Sequence, residues 1–185
     1  MSIESFQIEA VRKQDNRIEA TILHGAKTHQ VFIEGDDFDL VPHTEIAIAL
    51  CLYPAMKTGS DLEVNGEVSP QVLASLPRIQ DFYHCWDPSF QHITLRNVQA
   101  QSPTGKRPKR VALFFSGGLD CWYSLLKSQA EITDMVYVWG MDISLDNMAL
   151  HAKALANIRQ VAEAFGKNLV VLRTFSKWAG LAGLR

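Results

Sequence analysis

The stretch that most constrains this chain is Val111-Ala-Leu-Phe-Phe-Ser-Gly-Gly-Leu-Asp-Cys-Trp-Tyr-Ser-Leu-Leu-Lys127. It opens with an apolar run from Val111 to Phe115. A run that short, without a polar break, reads as a strand buried on both faces. Ser116-Gly117-Gly118 stops it, and Leu119, Trp122, Leu125 and Leu126 then recur at helical spacing. The order is strand, glycine turn, helix. Such a turn sets backbone N–H groups at a helix N-terminus, where unpaired donors and the helix dipole stabilise an anion. Glycines are also common in ordinary tight turns, because of their free backbone angles. Three features favour the anion site: the buried strand before the turn, the Ser116 hydroxyl beside it, and the Asp120 carboxylate one turn into the helix.

The chain beyond this stretch repeats the alternation. Asp134 to Met141 is a second apolar strand, with Asp142 to Asp146 as its exit. Asp146 is positioned to cap a helix from Asn147 to Phe165, and Gly166 to stop it. Asn168 to Thr174 is a third buried strand. The order β-α-β-α-β with apolar strands implies an α/β sheet of parallel strands.

The segment ahead of it has a different character. Arg17–Leu23 and Thr28–Glu34 read as strands of a hairpin across a turn at His24 to Lys27. Thr44 is expected to cap a helix from Glu45 to Tyr53 that stops near Pro54. Asp61–Val64 is a short strand, with Asn65-Gly66 as a hairpin turn signal. Ser69-Pro70 opens a helix to about Trp86, with Val72, Leu73, Leu76, Ile79 and Phe82 on one face. Phe90 to Val98 is a further strand. Residues 1–98 thus form a small α+β domain, residues 99–110 a linker, and residues 111–185 the α/β domain. The linker carries Lys106, Arg107, Lys109 and Arg110. These cations either solvate the entry to the next strand or lie near a bound phosphate. Strand direction weakens the second account, because five extended residues separate the strand's two ends by about 16 Å.

Composition excludes several classes. A net charge of -2 gives no general attraction to nucleic acid or an anionic membrane. No apolar run is long enough to span a bilayer, and the first residues lack the basic start and apolar centre of a signal peptide. Three scattered cysteines, Cys51, Cys85 and Cys121, form no disulfide framework, so a reducing cytoplasmic setting is expected. The six histidines show no metal-binding spacing and read as isolated surface or core residues.

The turn is not GxxxxGK[ST], GxGxxG or GxSxG. Ser116, Gly117, Gly118 and Asp120, following Val111–Phe115, resemble the SGGxDS motif of the N-type ATP pyrophosphatase, or PP-loop, superfamily. Its members include asparagine synthetases, NAD synthetases, 7-cyano-7-deazaguanine synthases and tRNA-modifying adenylating enzymes. The resemblance covers Val111 to Thr174 and implies a Rossmann-like PP-loop half-domain. It implies ATP, with Mg²⁺, cleaved to AMP and pyrophosphate while a substrate oxygen is adenylylated. Ser116, Gly117, Gly118, Leu119, Asp120 and Cys121 would hold the phosphates, with Asp120 as metal ligand and catalytic residue. Gly140, Met141 and Asp142, at the end of the second strand, would lie against adenine and ribose. For Asp142 the alternative is a plain turn carboxylate.

Two departures bear on this resemblance. The motif's last serine is Cys121 here, and a thiol is a weaker donor than a hydroxyl. Cys121 is either tolerated variation or a catalytic thiol. The superfamily's sheet has five strands in the order 3-2-1-4-5, and three are visible. Strand 1 is then expected to have an uncovered apolar edge. The expectation is a fragment of a longer adenylating ligase or amidotransferase-type enzyme, or a chain completed by a partner or a second copy. A small-molecule acceptor is the expected substrate. The alternative is a non-catalytic nucleotide-binding module that recruits a partner through the first domain.

Overall fold

The computed structural model describes residues 5–35, 40–102 and 109–174. It is a mixed α/β protein that divides into two compact units. The first unit holds β1 (Phe6–Gln14), β2 (Arg17–His24), most of β3 (Lys27–Gly35), α1 (Thr44–Thr58), β4 (Leu62–Val68), α2 (Pro70–Trp86) and β5 (Leu95–Ala100). The second holds β6 (Ala112–Phe114), α3 (Leu119–Lys127), β7 (Asp134–Trp139), α4 (Met148–Ala164) and β8 (Asn168–Thr174). The last residues of β3, Ile33–Gly35, also belong to the second unit, where they pair antiparallel with β8.

In the first unit the strands run β5-β4-β1-β2-β3. β1 and β2 are antiparallel, whereas β4 pairs parallel with both β1 and β5. Helix α1 buries Ala47, Ile48, Cys51, Leu52, Ala55 and Met56, a helical repeat, in the same core as Leu62, Val64 and Val68 of β4. This helix corrects the sequence reading. His43 is its N-cap, and Pro54 lies inside it rather than ending it. The stop comes at Gly59, whose φ of 69° is the left-handed geometry glycine accepts without cost. Asn65-Gly66 is likewise no hairpin turn. It lies within β4, at an irregularity in the β4–β5 register between Glu63 and Gly66. Gly66 pairs parallel with Val98 of β5, and the strand runs on to Val68, which leaves no place for a tight reversal there.

Helix α2 starts as expected, with the Ser69 hydroxyl accepting from Val72 N and Pro70 in the first turn. Its packed face differs from the apolar count. Leu76 and Gln80 are buried, while Ile79 and Phe82 are 39% and 52% exposed. Gln80 is internal because its side-chain oxygen accepts from Ile93 N at 2.7 Å. The last strand of this unit starts at Leu95, not Phe90, and it runs through Gln99 and Ala100 into the expected linker. Of the linker cations, Lys106 and Arg107 lie outside the described residues.

In the second unit β6, β7 and β8 are parallel and lie in the order β8-β7-β6. Both helices pack on one face of them. Phe115, Leu125, Met135, Tyr137, Ile158 and Ala162 form the buried cluster, with Trp122, Leu155 and Phe165 against it. The expectation that Val111–Phe115 is buried on both faces fails. Regular strand covers only Ala112–Phe114, and β6 is the last strand of its sheet among the described residues. Phe114 is 72% exposed and Val111 46% exposed, whereas Phe115 is buried against the helices. Among the described residues no strand pairs with β6 on the side away from β7.

At the N-terminal ends of β6 and β7, Arg110 donates to both carboxylate oxygens of Asp134, through Nε at 2.9 Å and through Nη2. Thr133 Oγ1 at 2.5 Å and Asn168 Nδ2 at 3.2 Å complete the buried carboxylate's partners. Arg110 is thus a structural cation at the end of the strand remote from the turn.

Candidate functional site

The site is assembled at the C-terminal ends of β6 and β7. Phe114 stands opposite Val136 in the parallel register. Phe115 N donates to Val136 O at 2.8 Å, and the chain then leaves the strand into the Ser116-Gly117-Gly118 turn while β7 continues to Trp139. Because β6 and β7 are parallel, the glycine turn and the β7 exit lie at the same end of the sheet, where open parallel sheets receive ligands.

Gly117 has φ 88°, a conformation that a side chain would strain. Gly118 is the N-cap of α3, and no side chain caps that helix. The first intrahelical bond runs from Trp122 N to Gly118 O at 3.2 Å. The early N–H donors of α3 thus lack a side-chain acceptor. Ser116, Gly117, Gly118, Leu119 and Asp120 are all exposed. A Cβ added at Gly117 would meet nothing within 4 Å, and one at Gly118 would meet only Ser116 Oγ, at 3.8 Å. The space in front of the turn is therefore open to an anion. Glycine is needed at position 117 for its backbone angle rather than for lack of room.

Asp120 lies in the first turn of α3, where its charge complements the helix dipole. No three of the His, Cys, Asp and Glu side chains converge among the described residues. Asp120 is a single exposed carboxylate with its side chain open to solvent. Cys121 is half-buried, and its Sγ donates to Gly118 O at 3.0 Å. Ser124 Oγ turns back to Asp120 O at 2.9 Å, so it does not replace the hydroxyl missing at Cys121.

Gly140 is buried, has φ 107°, and donates its N–H to Ile143 O at 3.1 Å. It serves the tight exit from β7. Met141 and Asp142 are exposed beyond it. Burial raises the pKa of the Tyr137 phenol, and the nearby charge of Asp142 adds to the effect.

One cluster on this rim is absent from the sequence reading. His151, in the first turn of α4, stacks on Trp139 with ring centroids 3.9 Å apart and planes at 12°. It also lies parallel to Tyr137, with its Nδ1 3.3 Å from the phenol oxygen. The available signal was the alternation that puts Tyr137 and Trp139 on one face of β7. A second feature is a cavity of about 340 Å³ that opens beside the turn. Phe115, Ser116, Gly117, Trp122, Asn157 and Val161 line it, so Asn157 offers an amide in a largely apolar groove between α3 and α4.

No family model matches the chain, and no curated protein or solved structure does either. The functional reading rests on the site itself and on the motif. No helix among the described residues is long and apolar enough to cross a membrane.

Proposed function

We propose that the second unit is the ATP-binding part of a PP-loop adenylating enzyme, which cleaves ATP to AMP and pyrophosphate. The observation that carries this reading is the uncapped start of α3, preceded by the exposed Ser116-Gly117-Gly118 turn with Gly117 in the left-handed region. Three further features support it. The strand order β8-β7-β6 is the 3-2-1 order that the resemblance implies. The turn follows β6 at the end of the sheet where β7 also exits, and Met141 and Asp142 beyond β7 are exposed and open to a ribose or base. Asp120 is exposed where a phosphate-bound Mg²⁺ would need a carboxylate.

In this reading the turn N–H groups and the Ser116 hydroxyl hold the β and γ phosphates and stabilise the charge that develops on departing pyrophosphate. Mg²⁺, held by Asp120 and phosphate oxygens, would supply further charge neutralisation. The test is pyrophosphate release from ATP and Mg²⁺ by the intact chain, alongside calorimetry with ATP, AMP and pyrophosphate. Turnover supports the enzyme. Binding without turnover favours a nucleotide-binding module, a reading supported by the Cys121 thiol being turned to Gly118 O. Absence of both overturns the assignment.

A further inference from the structure

The connection from β7 to α4 is tied at both of its ends. Gly140 N donates to Ile143 O at 3.1 Å, which encloses Met141 and Asp142 in a turn. Ser144 O accepts from Asn147 N at 3.0 Å and from the Trp139 indole N–H at 3.3 Å. One carbonyl thus joins the last residue of β7 to the approach to α4. The Asn147 side chain caps α4 by accepting from Leu150 N at 3.1 Å, and Asn147 O accepts from His151 N at 3.0 Å. The imidazole of His151 therefore starts from a fixed point in the first turn of the helix.

That imidazole closes the exit from β7. Alternation along the strand sets Tyr137 and Trp139 on one face. His151 lies against both. Its ring centroid is 3.9 Å from that of Trp139, with the planes at 12°, and its Nδ1 is 3.3 Å from the phenol oxygen of buried Tyr137. A buried phenol needs such a partner, and the stack holds in place the indole whose N–H reaches Ser144 O. Arg173, opposite Trp139 on β8, has its guanidinium carbon 5.9 Å from the indole ring. The Ser116-Gly117-Gly118 turn belongs to a different connection, from β6 to α3, anchored by Phe115 and Leu125.

We propose that His151 is a positioning residue for the nucleoside half of a nucleotide: stacked on Trp139 and bonded to Tyr137, it holds the β7–α4 connection so that Met141 and Asp142 meet the base and ribose, while the phosphates depend on the β6–α3 turn. This rests on the nucleotide-binding reading of the two connections. The imidazole touches no substrate. It sets the fraction of molecules whose connection is ready to bind, and apparent affinity falls with that fraction. Loss of one aromatic pair and one hydrogen bond shifts such an equilibrium about tenfold.

Calorimetry on the intact chain with AMP, and separately with pyrophosphate and Mg²⁺, tests this. His151→Ala should weaken AMP binding about tenfold and leave pyrophosphate binding within about twofold. His151→Phe, which keeps the stack and loses Nδ1, should recover most of the AMP affinity. Trp139→Phe, which keeps a ring and removes the N–H given to Ser144 O, should weaken AMP binding about threefold. The circular dichroism spectrum of each variant should match the wild type, and where His151→Ala does not fold the two phenylalanine variants carry the test. Unchanged AMP affinity in folded His151→Ala or Trp139→Phe, or equal losses of AMP and pyrophosphate, overturns the positioning role. His151→Phe as weak as His151→Ala overturns the stack as its means. A wild-type chain that binds pyrophosphate and not AMP overturns this proposal and spares the turn, whereas one that binds neither overturns the nucleotide reading itself.

Discussion

The Cys121 thiol donates to the carbonyl oxygen of Gly118 at 3.0 Å, the same oxygen that accepts the first helical bond of α3 from Trp122 N. The side chain that follows Asp120 therefore serves the helix start rather than the open space before the turn. Cys121→Ser keeps the size and provides a stronger donor with two acceptor lone pairs. Pyrophosphate affinity should rise about three- to tenfold, the worth of one ordinary hydrogen bond. Calorimetry reads this directly, and an unchanged or weaker affinity would count against a phosphate contact at this position.

Ser116 and Asp120 are exposed, and the side chain of neither caps α3. Ser116→Ala and Asp120→Ala should therefore change stability by no more than about 0.5 kcal/mol in urea unfolding. Each should abolish pyrophosphate release from ATP, and Asp120→Ala should also remove the Mg²⁺ dependence of nucleotide binding. Turnover that survives both substitutions would defeat the proposed chemistry.

Asp134 gives a pH dependence with a fixed sign. The Arg110 guanidinium, helped by Thr133 and Asn168, lowers its carboxyl from 3.8 to about 2 against the opposing effect of burial. A carboxyl depressed in the folded state contributes stability above its unfolded pKa and loses it as pH falls through the folded value. The window is therefore pH 4 down to about 2. Because Arg110 is largely exposed, the contribution at neutral pH is only about 1–2 kcal/mol. Urea midpoints of the wild type and Asp134→Asn should differ at pH 7 and converge as the pH is lowered through that window. A gap independent of pH would show that the ion pair carries no stability.

Gly66 stands where the sequence signals a turn and the structure places a strand. A Cβ built there would run into the Thr44 side chain at the start of α1, with Thr44 Cγ2 at 3.1 Å and Cβ at 3.3 Å. The glycine is needed for close approach between strand and helix, since its φ is not positive. Gly66→Ala should destabilise by about 1–3 kcal/mol, the usual cost of overpacking. Chemical denaturation monitored by circular dichroism tests this, and a neutral outcome would mean that Thr44 moves aside freely.

The second unit was the more legible part of the chain because its signals are local. An apolar run, a glycine pair, a helical repeat and Gly166 each act within a few residues. The first unit was harder to read where partners are distant. Asn65-Gly66 has turn chemistry, but the parallel pairing that resumes at Gly66 with Val98 of β5 overrides it. Pro54 has no N–H to donate, yet α1 continues to Gly59 because its apolar face packs on β4 through Ala55 and Met56. Exposure of β6 was not legible from Val111–Phe115 itself, because an apolar run reads alike at a sheet's centre and at its edge. Within the site, Ser116 to Asp120 could be picked out by spacing. His151 could not, since its stacking on Trp139 joins the end of β7 to the start of α4.

Leu125 and Leu126 show how far periodicity reaches. Both fit the helical repeat that begins at Leu119. In the structure Leu125 is fully buried against the strands, while Leu126 is 61% exposed. The difference follows from the short helix, where a 100° step per residue carries Leu126 off the packed face. Leu125→Ala should cost about 2–5 kcal/mol, because it leaves a cavity in the buried cluster that α3 shares with the strands. Leu126→Ala should cost less than about 0.5 kcal/mol. The same Leu125 anchors the helix whose first turn is the proposed anion site, so Leu125→Ala should also weaken pyrophosphate binding while Leu126→Ala leaves it intact. Equal losses of stability in the two variants would mean that α3 packs through a different face.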